Sequence, residues 1–428
     1  MQDTEAAIIR KVAWRIVPFL CFAYVINALD RYNVSIAALT MNRDLGLSAS
    51  AYGLAAGAYF WSYVCCQLPA NLVLRKIGAR AWLSLIMALW GAISATTALV
   101  TNETTFVIAR ILLGVAEAGY FPGVAYFLTC WFPNRHRGRM MGLFFAASAT
   151  ATVIGAPLSA NLLRLEGVLG LAGWQWIFLA EGLPAILLAV FGYASLRNEP
   201  ADAPWLTAAE RTWLQGELDR ESARKATHGK SVTASVVNPQ IVTLIIAFVC
   251  TLYGVYCVSF FLPLIIKSMG LSNTAVGYVA ALPNLCSAFG MVLISRHSDR
   301  TGERFWHVIV PVTAGALGTL AAAFLLDNVY LAMAAFCVAA AGLSSSLPLF
   351  WNLPTAYFGA ATAAAGIGVI NTFGNMSGYF APQLTGLLHD ATGAYVAPLL
   401  LAGALGLAAP VLIACSGIRR YLVRTATP

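Results

Sequence analysis

Pro18-Phe-Leu-Cys-Phe-Ala-Tyr-Val-Ile-Asn-Ala-Leu-Asp-Arg-Tyr-Asn33 is almost wholly apolar until it sets an acid and a base, Asp30-Arg31, side by side. A second stretch, Arg110-Ile-Leu-Leu-Gly-Val-Ala-Glu117, repeats the pairing with two helical turns between the charges. A charge at the centre of a bilayer helix costs about 2.5–3.5 kcal/mol on insertion scales, so such residues are rare and line polar cavities. Two acids and two bases placed this way suit a site that binds an anion and handles protons.

Composition agrees with a membrane setting. The chain has 428 residues, 59% hydrophobic and 10% charged, against about 25% charged in soluble proteins. Twelve apolar stretches fall near 14–38, 52–74, 81–101, 104–130, 138–163, 174–196, 240–266, 272–295, 306–326, 329–356, 361–388 and 394–417. Most reach the roughly 20 residues that span a hydrocarbon core. The expected fold is therefore an all-α membrane protein of twelve transmembrane helices. The first stretch is too long for a signal-peptide core and reads as a signal anchor.

The net charge of +8 is not a nucleic-acid footprint, because the basic residues alternate between connections. They gather at Arg10, Lys11 and Arg15, at Arg75, Lys76 and Arg80, at Arg135, Arg137 and Arg139, between Arg197 and Lys230, at Arg296, Arg300 and Arg304, and at Arg419, Arg420 and Arg424. Arg43, Arg164 and Lys267 lie at the opposite ends of the spans, and the connection after the tenth span carries no base. The bias predicts that both termini and the central loop face the cytoplasm. The nine cysteines are scattered without C-x-x-C spacing, which argues against a disulfide framework.

Residues 197–239 are the only long polar stretch, dividing the chain into halves at 1–196 and 240–428. Within it, Thr207-Ala-Ala-Glu210 reads as a capping box. Trp205, Leu206, Trp213, Leu214 and Leu218 give the helix that follows an apolar face for the cytoplasmic surface. The halves echo each other in Asn71-Leu-Val-Leu-Arg-Lys-Ile-Gly-Ala-Arg80 and Ser295-Arg-His-Ser-Asp-Arg-Thr-Gly-Glu-Arg304, which predicts two pseudo-symmetric six-helix halves.

These turns resemble the loop motif of the major facilitator superfamily, G-x-x-x-[DE]-[RK]-x-G-x-[RK]. Asp299, Arg300, Gly302 and Arg304 match it, whereas Asn71 and Arg75 replace the first Gly and the acid. Arg75, Arg80, Asp299, Arg300 and Arg304 are the candidate gating residues. A narrower resemblance, to the anion:cation symporter family, rests on Leu29-Asp-Arg-Tyr-Asn33, Glu117-Ala-Gly-Tyr-Phe-Pro-Gly123, Trp131-Phe-Pro-Asn-Arg-His-Arg137, Gly173-Trp-Gln-Trp-Ile-Phe178 and Gly366-Ile-Gly-Val-Ile-Asn-Thr-Phe-Gly-Asn375. It spans nearly the whole chain. It implies a bacterial inner-membrane permease, not an enzyme, that takes up a small organic anion, a mono- or dicarboxylate, with protons.

The residues support roles of that kind. Burial and a neighbouring guanidinium pull the proton affinity of a carboxyl group in opposite directions, so Asp30 and Glu117 are the candidate proton-coupling acids. Arg31 and Arg110 stay charged and fork onto a carboxylate, which makes them candidate anion ligands. Tyr59 with Tyr63, and Asn371 with Asn375, share helix faces at one-turn spacing, and Trp351 stands between Pro348 and Pro354. The resemblance implies binding roles for Tyr63, Trp351 and Asn371. Ser148 is small where polyol-acid relatives hold an amide, and with Phe144, Phe145 and Phe350 it hints at a less hydroxylated, aromatic substrate. Glu181 reads first as a helix-packing hydrogen bond, with a third titrating site as the alternative. No cofactor, metal site or nucleic-acid partner is expected, and the protein is expected to act as a monomer. An exporter or exchanger of the same fold is the alternative; a membrane enzyme fits less well, because the sequence has no His cluster, nucleophile elbow or phosphate loop, and a sensor without flux fits less well with the charges set inside the helices.

Overall fold

The computed structural model describes residues 2–225, 239–357 and 360–418, all of them in helices or short connections. Twelve membrane passes appear, four of them built from two helices. The first pass is α1 (Gln2–Tyr32) with α2 (Val34–Asp44), followed by α3 (Ala49–Ile77) and α4 (Ala79–Thr97). The fourth is α5 (Glu103–Glu117) with α6 (Tyr120–Trp131), then α7 (Asn134–Leu162) and α8 (Gly173–Ser195). After the linker helix α9 (Ala208–Lys225) come α10 (Pro239–Ser268), α11 (Asn273–Thr301) and α12 (Trp306–Phe324). The last three passes are α13 (Val329–Phe350) with α14 (Asn352–Tyr357), α15 (Ala360–Asn375) with α16 (Ser377–Thr392), and α17 (Val396–Cys415).

Ten passes are long and apolar enough by composition alone to cross a membrane. The other two, α3 and the α15–α16 pair, pack against each other through α16. Gly53 and Gly57 bring α3 so close to α16 that an added Cβ would stand 2.2 Å from the Pro382 carbonyl oxygen and 2.6 Å from that of Tyr379. Small residues permit such approaches, and dispersion contacts then hold helices together where lipid supplies no hydrophobic drive.

This α3–α16 seam joins the two six-helix halves at the end of the bundle opposite the chain termini. The Asp390 carboxylate accepts from the backbone N–H of Ala49 (3.2 Å) and Ser50 (2.9 Å) at the start of α3. Beside it, Tyr52 Oη donates to the Phe260 carbonyl (2.9 Å), and Asn161 at the end of α7 donates to Tyr278 Oη (3.0 Å). At the terminal end α6 packs on α3, α4, α7 and α9 of its own half. The molecule is thus closed at the distal end.

The capping box forms as expected: Glu210 N–H donates to Thr207 Oγ1 and Thr207 N–H to Glu210 Oε2. The apolar face of α9 turns to protein instead of a membrane surface. Leu206, Leu214 and Leu218 are buried, and Trp205 stacks on Trp131 at 5.5 Å. Ion pairs Lys11–Glu210 (2.8 Å), Arg135–Glu217 (3.4 Å) and Arg137–Glu221 (3.2 Å) clamp α9 to the N-terminal half. Residues 226–238, the rest of the expected linker, lie outside the described residues.

Candidate functional site

The four divided passes break at the residues singled out by charge and polarity. The breaks fall at Asn33, at Ala118-Gly119 just after Glu117, at Trp351, and at Met376 just after Asn375. At Gly119 the reason is steric: a Cβ would lie 2.2 Å from the Trp82 ring, whose Nε1 donates to the Gly119 carbonyl at 3.0 Å. Interrupted helices are tolerated in a membrane where they are covered by protein or line a cavity.

Two buried polar clusters occupy the N-terminal half. In the first, Arg31 Nη2 meets Glu117 Oε2 at 3.3 Å, and Tyr59 Oη donates to the same oxygen at 2.6 Å. The Arg31 guanidinium lies 5.4 Å from the ring centres of both Tyr59 and Tyr63. Tyr59 is shared, because Arg110 sits 5.0 Å from its ring centre. The side chain of Arg31 is 22% exposed and that of Glu117 fully buried. Arg110 is buried as well, and none of its guanidinium nitrogens makes a hydrogen bond within the protein. Cation–π attraction offsets part of that cost; an unpaired buried cation otherwise marks a functional position.

In the second cluster Asp30 Oδ1 accepts from the hydroxyl of Ser94 on α4 and from Asn33 Nδ2 at 3.2 Å. Asn33 Nδ2 also donates to Glu181 Oε2 at 2.9 Å, and Ser159 Oγ donates to Glu181 Oε1 at 2.9 Å. One amide therefore bridges two buried carboxyl groups from α1 and α8. The expected packing bond of Glu181 exists, but its partners are these functional neighbours. Asn33 and Ser159 were not foreseen as site residues; the only signal was the position of Asn33, three residues after Asp30 in the D-R-Y-N run.

Alongside lies a cavity of about 670 Å³ between the halves. Its walls come from α1–α2 (Ala28 to Ile36), α7, α10, α11 and α13, and they include Tyr32, Asn33, Ser159, Phe145 and Trp351 but no Asp, Glu, His, Lys or Arg. Trp351 is the expected binding residue that lines it, set edge-on against Phe248 at 5.1 Å. Arg31, Arg110, Tyr59 and Tyr63 are not among the lining residues, but Tyr32, next to Arg31 in the chain, is. Asn375 Nδ2 donates to the Asn371 carbonyl (2.9 Å) and its Oδ1 accepts from Tyr256 Oη (3.2 Å), while Asn371 is half-buried.

Serines in the C-terminal half differ by where they face. Ser345 and Ser346 donate to carbonyls of their own helix, as Thr251 and Thr313 do. Ser259, Ser287 and Ser344 line the cavity, and their hydroxyls make no such bond. The side chains of Ser148 and Arg75 lie outside the described residues. Of the other loop residues, Arg80 Nε caps the end of α8 at the Tyr193 carbonyl (2.7 Å), and Arg304 pairs with Asp299 (2.6 Å). Both contacts stay within one half.

Comparison with known proteins adds three findings. The family model described as Major Facilitator Superfamily matches residues 20–382 and again 244–423. A protein of Agrobacterium vitis named as a candidate tartrate transporter is 42% identical over 410 residues, covering 96% of this chain and 91% of its own. A candidate metabolite transport protein of Pseudomonas putida, NicT, is 37% identical, covering 95% and 94%. Among solved structures, a bacterial homologue of the human lysosomal transporter Spinster superposes with a TM-score of 0.76 at 17% identity, covering 98% of this chain and 99% of that one.

Proposed function

Because this chain belongs to the Major Facilitator Superfamily, we propose that it takes up a small hydroxylated organic acid together with protons by alternating access. It is a membrane transporter and not an enzyme. The observation that carries the finer reading is the Arg31–Glu117 ion pair, held by Tyr59 and next in the chain to the cavity-lining Tyr32 and Asn33. Arg31 is the partly exposed member of the cluster, and a guanidinium binds a carboxylate bidentately. An incoming carboxylate competes with Glu117 for it, and a displaced, buried Glu117 takes up a proton rather than stay ionised without a partner. Anion and proton then load together. Asp30 does the same beside Arg110, which is shut behind Tyr59 in this closed-outside state and meets the anion when the distal seam opens.

The cavity's neutral walls favour one carboxylate anchored at Arg31, with the rest of the molecule held by uncharged groups. Ser259, Ser287 and Ser344 offer free hydroxyls for this, which supports a hydroxyl-bearing acid over the aromatic one suggested by Ser148. The tartrate name carried by the Agrobacterium vitis relative is in keeping with it. The alternating basic loops support cytoplasmic termini in a bacterial inner membrane, which makes this the inward-facing state. The two halves at 1–196 and 240–428 rock about the cavity, with Arg75, Arg80, Asp299, Arg300 and Arg304 guarding the inner mouth.

The test uses purified protein in liposomes. Labelled tartrate and other hydroxy acids are offered with and without an imposed pH gradient. Accumulation that follows the gradient is expected. Counterflow without gradient-driven accumulation would replace symport by the exchanger reading.

A further inference from the structure

We propose that Glu181 is a third proton-carrying group, coupled to Asp30 through Asn33 and exchanging its proton with the cavity. This rests on the proton-coupled reading above and adds a residue to it.

Charge bookkeeping points there first. The buried clusters hold two permanent cations, Arg31 and Arg110, and three acids, Asp30, Glu117 and Glu181. Full ionisation would leave one negative charge uncompensated in the membrane interior, which is costly. Glu117 has Arg31, and Asp30 has Arg110 in its field. Glu181 has no cation; the charged group acting on it is the Asp30 carboxyl.

Among the described residues, the elements packed on α8 bring no other charged group to bear on Glu181. From α1 come Asp30 and Asn33, from α4 Ser94, and from α7 Ser159. On α2, Arg43 and Asp44 pair with each other, and Asp44 also accepts from Trp174, two helical turns before Glu181. Arg164 is exposed at the distal turn, Arg80 is engaged with Tyr193 at the terminal end, and Lys11, Arg135 and Arg137 are committed to α9. Glu181 is therefore the acid on which a proton removes the excess charge.

The hydrogen-bond shell makes that proton exchangeable. Asn33 and Ser159, which both donate to Glu181, also line the cavity. A proton leaving the Glu181 carboxyl passes to cavity water, and the carboxylate left behind keeps two donors. The protonated form needs an acceptor instead. Asn33 Oδ1 is buried and makes no hydrogen bond, and half a turn of the amide presents it to the acid. Because the same amide also serves Asp30, protonation of one acid changes what the other is offered.

The experiment measures the limiting accumulation of labelled tartrate in proteoliposomes at zero membrane potential and a pH gradient of one unit. Each coupled proton contributes a factor of ~10 there. Glu181→Gln should keep counterflow and lower the limiting ratio ~10-fold by losing one proton. A ratio equal to that of the wild type overturns the proposal while leaving proton coupling intact. If wild-type protein shows no gradient-driven accumulation, the symport reading falls and this one with it. Ser159→Ala guards against a misfolded Gln variant. It removes a donor from the ionised carboxylate, so the pH profile of uptake should move to the alkaline side; an unmoved profile also overturns the proposal.

Discussion

Glu117→Gln separates the competition mechanism from a structural ion pair most directly. The substitution removes one charge and keeps shape and an acceptor for Tyr59. In the structure the Glu117 carboxylate stands 3.3 Å from Arg31. At an effective dielectric of about 20, that separation corresponds to about 5 kcal/mol of attraction. Arg31 is partly exposed and regains hydration when released, and glutamine still accepts a hydrogen bond, so only a fraction is returned to an incoming anion. We take about 1–2 kcal/mol, which is roughly 5- to 30-fold in Kd. Isothermal titration or a thermal-shift panel on purified protein at pH 7 to 8 should find the variant binding the substrate tighter by that factor, with a weaker pH dependence than the wild type. In liposomes it should exchange labelled anion yet accumulate it about tenfold less on a pH gradient of one unit, since no proton leaves residue 117. Unchanged affinity together with wild-type accumulation would refute the reasoning and leave Glu117 a packing residue.

Three further outcomes follow from the geometry. Asp390→Ala deletes two charge-assisted bonds across the distal seam, each worth about 1.5–3 kcal/mol. Spin labels at 48 and 392 should report at least a tenfold larger distal-open population, and an unchanged distance distribution would remove Asp390 from the latch. Ser287→Ala and Ser344→Ala should each weaken binding of a hydroxylated acid by about 1 kcal/mol, roughly fivefold, and leave its deoxy analogue unaffected; equal losses for both ligands would assign the serines to packing. The hydrogen bond from Lys11 holds Glu210 below the usual glutamate range. A lowered pKa means the α9 clasp is complete above about pH 4.3 and weakens only as pH falls through the lower folded value. Limited proteolysis of α9 should therefore be flat from pH 5 to 8, and a change near neutrality would contradict this.

How much of this was open to a reader of the sequence depends on the range of the interaction involved. Hydrophobic length and the alternation of basic loops are properties of single segments, so twelve passes in two halves were legible, as were the capping box at Thr207–Glu210 and the anomaly of Asp30, Arg31, Arg110 and Glu117. Even the seven-residue spacing of Arg110 and Glu117 told that they could not pair with each other. What they do instead is set by neighbours distant in the chain. Glu117 meets Arg31 and Tyr59 from two other helices, Arg110 meets only an aromatic ring, and Asp30 and Glu181 meet through one amide. Likewise the serine pattern separates by facing direction, which period alone does not fix when a helix is apolar all round. The apolar face of α9 could have met lipid or protein; Trp131, far back in the chain, decided it. Sequence determines which groups the membrane must not leave uncompensated. Tertiary structure decides which group compensates which, because that is a matter of ångströms between helices whose order in space the chain does not spell out.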